Sequence, residues 1–232
     1  SAASFAQTNG SGTTLFDGAL ATSAAAGITV NGKNFNFDDA VTLALGDLDV
    51  TSVGTVRFNG LVTTQDTGAG QGDVEISNGG VLTITADGDM DLTGSFVQNG
   101  AGTVSTAGNI TTDEEAINFL SAVTLTGGVL LDTGAGAGTI TFQNTLNGTQ
   151  TLGLTAGTGD IDFDGIVGGS NALGAVTVTS AANVTADQAF SAASFAQTNG
   201  TGTTLFDGAL ETSAAAGITV NGKNFNFADA VT

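Results

Sequence analysis

The chain has 232 residues, 41% of them hydrophobic, and sets 22 acidic residues against three basic ones (Lys33, Arg57 and Lys223), for a net charge of −19. It contains no Cys, His, Trp, Tyr or Pro. These absences leave no disulfide, no imidazole base and no ordinary zinc site, and the scarcity of Lys and Arg argues against nucleic acid or anionic lipid as a partner.

The first element met in the chain is also the last. Residues 1–42 recur as 191–232, with differences only at Ser11/Thr201, Ala21/Glu211 and Asp38/Ala228. Residues 1–190 therefore read as one long repeat and 191–232 as the start of the next, within a single continuous domain, 1–232. So long a period exceeds any one structural unit, and a shorter one is expected inside it.

The shorter unit is a phrase of eight residues. In chain order it reads TTLFDGAL (13–20), NFNFDDAV (34–41), TVRFNGLV (55–62), DMDLTGSF (89–96) and AINFLSAV (116–123). It continues as TITFQNTL (139–146), DIDFDGIV (160–167), NVTADQAF (183–190), TTLFDGAL (203–210) and NFNFADAV (224–231). The fourth position is Phe except at Leu92 and Ala186, and the eighth is always apolar. Apolar residues at positions two and four fit a strand with one buried face, and the Thr, Asn and Asp between them suit the wet face. Gly, Asp, Asn or Ser at position six suits a corner. A second strand precedes most phrases, as in ITV (28–30), LTI (82–84) and VTV (176–178). All fourteen Phe fall on columns expected to point inward.

This pattern predicts an all-β fold: a right-handed parallel β-helix, or β-solenoid, of about ten coils of roughly 20–34 residues, with uncapped ends. Eight coils per long repeat would advance roughly 38 Å. The wide spacing between Phe58 and Leu92 predicts an insertion around DTGAGQGDVEISNGG (66–80). A pair of β-sandwiches is the competing architecture, but it does not require one phrase to return at a near-constant interval along the whole chain. The three positions that differ between the copies are expected to face solvent.

No catalytic, cofactor-binding or metal-ligating residue is assigned. Position five would stack Asp164, Asp187 and Asp207 on three successive coils. That column has two readings, a calcium ladder or solvated corner residues bonded to turn amides, and the second is preferred. DGDMDLTG (87–94) lacks the Gly and Glu of a calcium loop, and GAGAGTITF (134–142) lacks the Asp of a calcium nonapeptide. Ice binding would need a regular Thr array, which the interrupted first column does not supply. Leu15, Leu120 and Leu205 occupy outward columns and are candidate lateral contacts.

The Gly/Thr/Asn/Asp-rich coils, phrases such as GTITFQNTL and VTVTSAANVTADQAF, and the long repeat together resemble the giant repeat proteins of bacterial surfaces, the filamentous-haemagglutinin-like adhesins and β-helix stalks. The resemblance implies a secreted or cell-surface structural segment that is not an enzyme. Its expected partners are further repeats or subunits stacked end to end, lateral rods or surface polysaccharide. The absence of an initiating Met and of any apolar run that would span a bilayer fits a mature product or a piece of a longer chain. The alternative function is a polysaccharide-binding or polysaccharide-cleaving β-helix that uses its acid column.

Overall fold

The computed structural model describes residues 1–66, 68 and 70–232. The chain winds as a parallel β-solenoid with three faces. The first face begins with Phe5–Gln7, Ile28–Gly32 and Leu48–Ser52 and ends, as the last of eleven strands, with Asn224–Phe227. The second begins with Thr13–Phe16 and Asn34–Phe37 and runs as a seven-stranded sheet to Leu146–Asn147. Single bridges extend it from Leu146 to Val167 and from Val167 to Phe190, Phe190–Ala192 pair with Leu210–Thr212, and a last bridge joins Leu210 to Val231. The third face runs from Leu20–Thr22 through Val62–Thr64 and Val129–Asp132 to Ile218–Val220. Each strand pairs in parallel with the strand one coil on, as in Ile28 with Leu48 and Leu48 with Val74. Eleven stacked strands give the rod a length of roughly 48 Å.

Alternation explains the strands. In Ile28–Gly32, Leu48–Ser52 and Val74–Asn78, every second residue is buried and those between are exposed or half-buried. The inward residues of all three faces form one continuous apolar core. Corners are closed by Gly and by buried hydroxyls. Thr64, Thr106 and Thr133 donate from Oγ1 to the carbonyls of Gly72, Gly108 and Gly138, at 2.8, 3.1 and 2.9 Å. These bonds satisfy turn carbonyls that the ladders do not reach. At Gly27 φ is +55° and the glycine lies against the Asp47 carbonyl of the next coil, so a side chain there would be both strained and obstructed.

The predicted Phe columns exist, but as two ladders. On the second face Phe16, Phe37 and Phe58 stack at 4.9 and 4.7 Å, and the column then continues as Ile84 and Thr106. On the first face Phe119, Phe142 and Phe163 stack at 5.3 and 5.4 Å. Ala186 interrupts that ladder between Phe163 and Phe206. The Phe190 ring from the second face lies edge-on to both, at 5.4 and 5.5 Å, beside the interruption. Ten of the fourteen rings are buried and Phe5 and Phe16 are partly so. Phe225 and Phe227 keep their inward register on the final coil yet remain 38% and 36% exposed.

Three expectations need correction. The winding is as expected, with eleven strands on the first face, but the coils are more even in length than the phrase spacing implies. The second concerns the widest spacing, which is not one coil: Phe58 pairs with Ile84, and Leu92 already belongs to the next face. Within 66–80, Val74–Asn78 is an ordinary first-face strand. The extra length falls just before it, where the coil from Leu48 to Val74 is six residues longer than the one before. Thr67 and Ala69 of that stretch lie outside the described residues.

The third correction concerns the long repeat. Nine first-face intervals separate Phe5 from Thr204, and the twin of Thr204, Thr14, sits one face further round. The long period thus spans eight and two-thirds turns instead of eight, an advance of roughly 42 Å. Residues 195–197, 203–206 and 210–212 lie on the third, first and second faces, whereas 5–7, 13–16 and 20–22 lie on the first, second and third. The same sequence is therefore used one third of a turn out of phase. Its internal chemistry travels with it. Thr14 Oγ1 donates to Gln7 Oε1 at 3.0 Å, and Thr204 Oγ1 donates to Gln197 Oε1 at 2.6 Å.

The positions that distinguish the copies do face outward. Ser11, Asp38, Thr201, Glu211 and Ala228 are exposed, and Ala21 is half-buried.

Candidate functional site

Outward positions of the first face hold a group of four carboxylates. Register places Asp49 beside Glu75 on successive coils, and their neighbours Asp47 and Asp73 are brought together by the same register. Reading the phrase alone misses this pairing. Asp91 pairs with Thr63 and Thr111, and Asp89 accepts bonds from the Asn109 N–H and Nδ2, at 2.7 and 3.3 Å. Asp162 is flanked by Thr141 and Thr185 on the neighbouring coils.

Backbone and hydroxyl donors hold three of the four acids, and Asn99 Nδ2 donates to Glu75 Oε1. Asp73 N–H donates to Asp47 Oδ1 at 3.1 Å. Asp73 Oδ1 accepts from the Ser95 N–H at 2.6 Å and from Ser95 Oγ at 2.8 Å. Thr29 Oγ1 donates to Asp49 Oδ2 at 3.5 Å. A shallow groove of about 360 Å³ runs along this edge, lined by Thr29, Asp49, Val50, Thr51, Glu75 and Ser77. Partial burial raises the Asp49 carboxyl above its ordinary range, and the charges of Asp47, Glu75 and Asp73 add to the shift, while the Thr29 bond opposes it. Asp162 is raised in the same way by burial and by Asp160, Asp164 and Asp187, against a bond from Thr185. Asp66 moves the other way, because the N–H groups of Gly46 and Gly68 donate to its carboxylate.

The position-five column is present. Phe163, Ala186 and Phe206 are ladder partners, so Asp164, Asp187 and Asp207 follow one another up the rod, and all three are exposed. Their own N–H groups donate to the Phe142, Phe163 and Ala186 carbonyls of the preceding coil. Among the described residues, no group of three or more acidic side chains is arranged to hold a metal ion. On the second face a polar chain crosses three residues: Arg57 Nε donates to Asn59 Oδ1 at 2.7 Å, and Asn59 Nδ2 donates to Asp38 Oδ1 at 2.6 Å. Leu15 and Leu120 point outward, 53% and 43% exposed, and Leu205 is half-buried.

Comparison with protein-family models, with curated proteins and with solved structures gives no match.

The interior has its own polar site. Gln98 is fully buried and donates from Nε2 to Asn78 Oδ1 and to the Gly100 carbonyl, both at 2.8 Å. Its Oε1 accepts from the Ser121 N–H at 3.1 Å. This network ties three consecutive coils at one corner. Both Nε2 donors and Oε1 of the amide are engaged internally, which makes it a stay for the corner.

Proposed function

We propose that this chain is a structural segment or subunit of an extracellular filament or surface adhesin, of the kind found in the large repeat proteins of bacterial surfaces, and that its work is mechanical. The observation that carries the reading is continuity: parallel ladders on three faces join each coil to the next, around one apolar interior that runs from Ile28 to Leu210. In such a rod the backbone hydrogen bonds lie along the axis. Tension therefore loads several bonds at each joint at once, and no joint parts by breaking one of them. The acidic coat supports the same reading, because a net charge of −19 keeps parallel rods apart and soluble.

Catalysis is not part of the proposal. The Asp164, Asp187 and Asp207 column and the Asp49–Glu75 groove are the acid groups on which a polysaccharide-cleaving activity would draw, so incubation with acidic and neutral polysaccharides tests it directly. The reading predicts no reducing ends above those of a protein-free blank. Electron microscopy tests the mechanical role. Straight rods about 48 Å long per chain are expected, and a compact particle without an axis would overturn it.

A further inference from the structure

The acids of the rod are not spread evenly round it. The second face and the corner that leads into it are crossed by residues 31–36, 51–58, 77–84, 99–106, 120–125 and 143–147, and these six successive passages contain no Asp or Glu. They hold two of the three basic residues, Lys33 and Arg57. The other faces carry acids outward, Asp49, Glu75 and Asp162 on the first and Asp91 and Asp132 on the third. A chain with a net charge of −19 therefore has one side on which a second acidic rod can lie without meeting like charge.

Two outward columns run up that side. One passes from Asn36 through Arg57 and Ser105 to Asn147. The other passes from Thr55 through Val81 and Thr103 to Ile166, and the carbonyl of each residue accepts from the strand one coil below. Near the corner, Val53, Val81 and Leu120 are 76%, 41% and 43% exposed. Gly79 and Gly80 lie among them without side chains. Apolar groups among neutral polar ones, with charge kept out, are the composition of an interface core.

We infer that a second copy of this chain packs laterally on the second face, antiparallel to the first, about a two-fold axis at Thr103. Charge fixes the level of the axis. Thr103 stands three coils above Lys33 and three coils below Asp164, which occupies the same corner. Reversing one rod against the other about that level brings Lys33 to the partner's Asp164, once at either end of the strip. It also lays Val81 on the partner's Ala122 and Leu120 on the partner's Gly79 and Gly80. Asp87 meets Thr126 and Gly127 of the opposite copy, not another acid. A parallel pair would instead turn the apolar corner onto the far corner of the face, which carries Asp38, Asp39 and Asp87. The contact uses one patch on both copies, so it closes on itself as a pair. Six strands give the strip a length of roughly 29 Å, and the passage from Val53 to Arg57 gives it a width of roughly 17 Å. The pair then covers about 1,000 Å² in all, the least expected of a specific interface, so association at modest affinity follows. This rests on the rod reading above and gives the rod a lateral partner.

Because the chain has no Cys, engineered thiols read the geometry without background. The linker is a bis-maleimide about 8 Å long, suited to the roughly 10 Å between packed sheets. Thr103→Cys lies on the axis and should cross-link to its own copy. Thr55→Cys and Thr145→Cys, two coils below and two above the axis, should each stay single alone and cross-link when mixed. Leu130→Cys, exposed on the third face, should stay single.

Sedimentation velocity of the full chain, taken up to about 1 mM, should show paired rods. Thr103→Asp sets two like charges on the axis. It should keep the circular dichroism and melting temperature of the parent and weaken pairing about tenfold or more, whereas Leu130→Asp, with the same added charge, should leave pairing within about twofold. Single rods at every concentration, cross-linking of Thr55→Cys to itself, or unchanged pairing of folded Thr103→Asp would each overturn this inference and leave the rod reading intact. So would a neutral polysaccharide that binds the single rod and is lost in Thr103→Asp, with no self-pairing. Particles with no rod shape by electron microscopy would overturn both.

Discussion

The gap at Ala186 gives a prediction with an internal control. Phe190 is fully buried and sits edge-on to Phe163, Phe195 and Phe206, at 5.4, 5.7 and 5.5 Å. Phe190→Ala removes all three contacts and leaves a ring-sized cavity, which costs about 3–5 kcal/mol. Ala186→Phe places a ring on the column between Phe163 and Phe206, into space bordered by the Phe190 ring. Overpacking of this kind costs about 1–3 kcal/mol. If the two positions share one volume, the exchange Ala186→Phe/Phe190→Ala puts the ring back by the ladder route and restores a continuous stack. The double variant should then be at least about 2 kcal/mol more stable than the sum of the two single effects implies, a coupling in the range seen for residues in contact. Denaturant unfolding of the four proteins at fixed pH, read from midpoint and slope, measures it. Additivity within about 0.5 kcal/mol would refute the claim that Phe190 fills the gap left by Ala186.

The duplicated ends supply paired experiments in identical sequence. Phe37→Ala should cost about 3–5 kcal/mol because the ring is stacked on both sides, whereas Phe227→Ala, stacked only on Phe206, should cost less than half as much in the unassembled chain. Gly27 and Gly217 both have φ of +55°, but only Gly27 has the next coil's backbone against it. Ala at Gly217 should therefore cost about 1 kcal/mol from backbone conformation alone, and Ala at Gly27 clearly more, by thermal melting. Acidity should stabilise the rod between neutrality and the raised range of Asp49 and Asp162. These carboxyls bind protons more tightly folded than unfolded, so stability falls as pH rises through their titration. The melting temperature should be higher near pH 4.5 than at pH 7 in low salt, and Asp49→Asn should flatten that slope.

The solenoid was legible because its constraints are local. Each coil must put apolar side chains inward at alternating positions and turn at a polar or glycine corner, and NFNFDDAV or DIDFDGIV shows both within a single phrase. Which face a phrase occupies was not legible. A strand, a corner and the start of the next strand look alike on any pair of faces, so the phrase at 13–62 joins the second face to the third, whereas from 116 onward it joins the first to the second. The slip left a trace in the spacing. The stretch from Phe58 to Leu92 is one whole coil, closed where Ile84 meets Phe58, plus a further piece that carries the chain round to another face. The acid pairs at Asp47/Asp73 and Asp49/Glu75 are not legible for the same reason, since the strands that hold them precede the phrase and its spacing does not set their register.

Twin segments that fit equally well at either end set the chain a problem of identity while it folds. Residues 195–212 are as good a partner for 28–43 as residues 5–22 are, so a denatured chain returned at once to water can join its tail to its own second coil, or to that of another molecule. Vectorial synthesis removes the ambiguity, because the early copy is wound before the late one emerges. Refolding from denaturant restores it, and the yield should drop as the protein concentration rises.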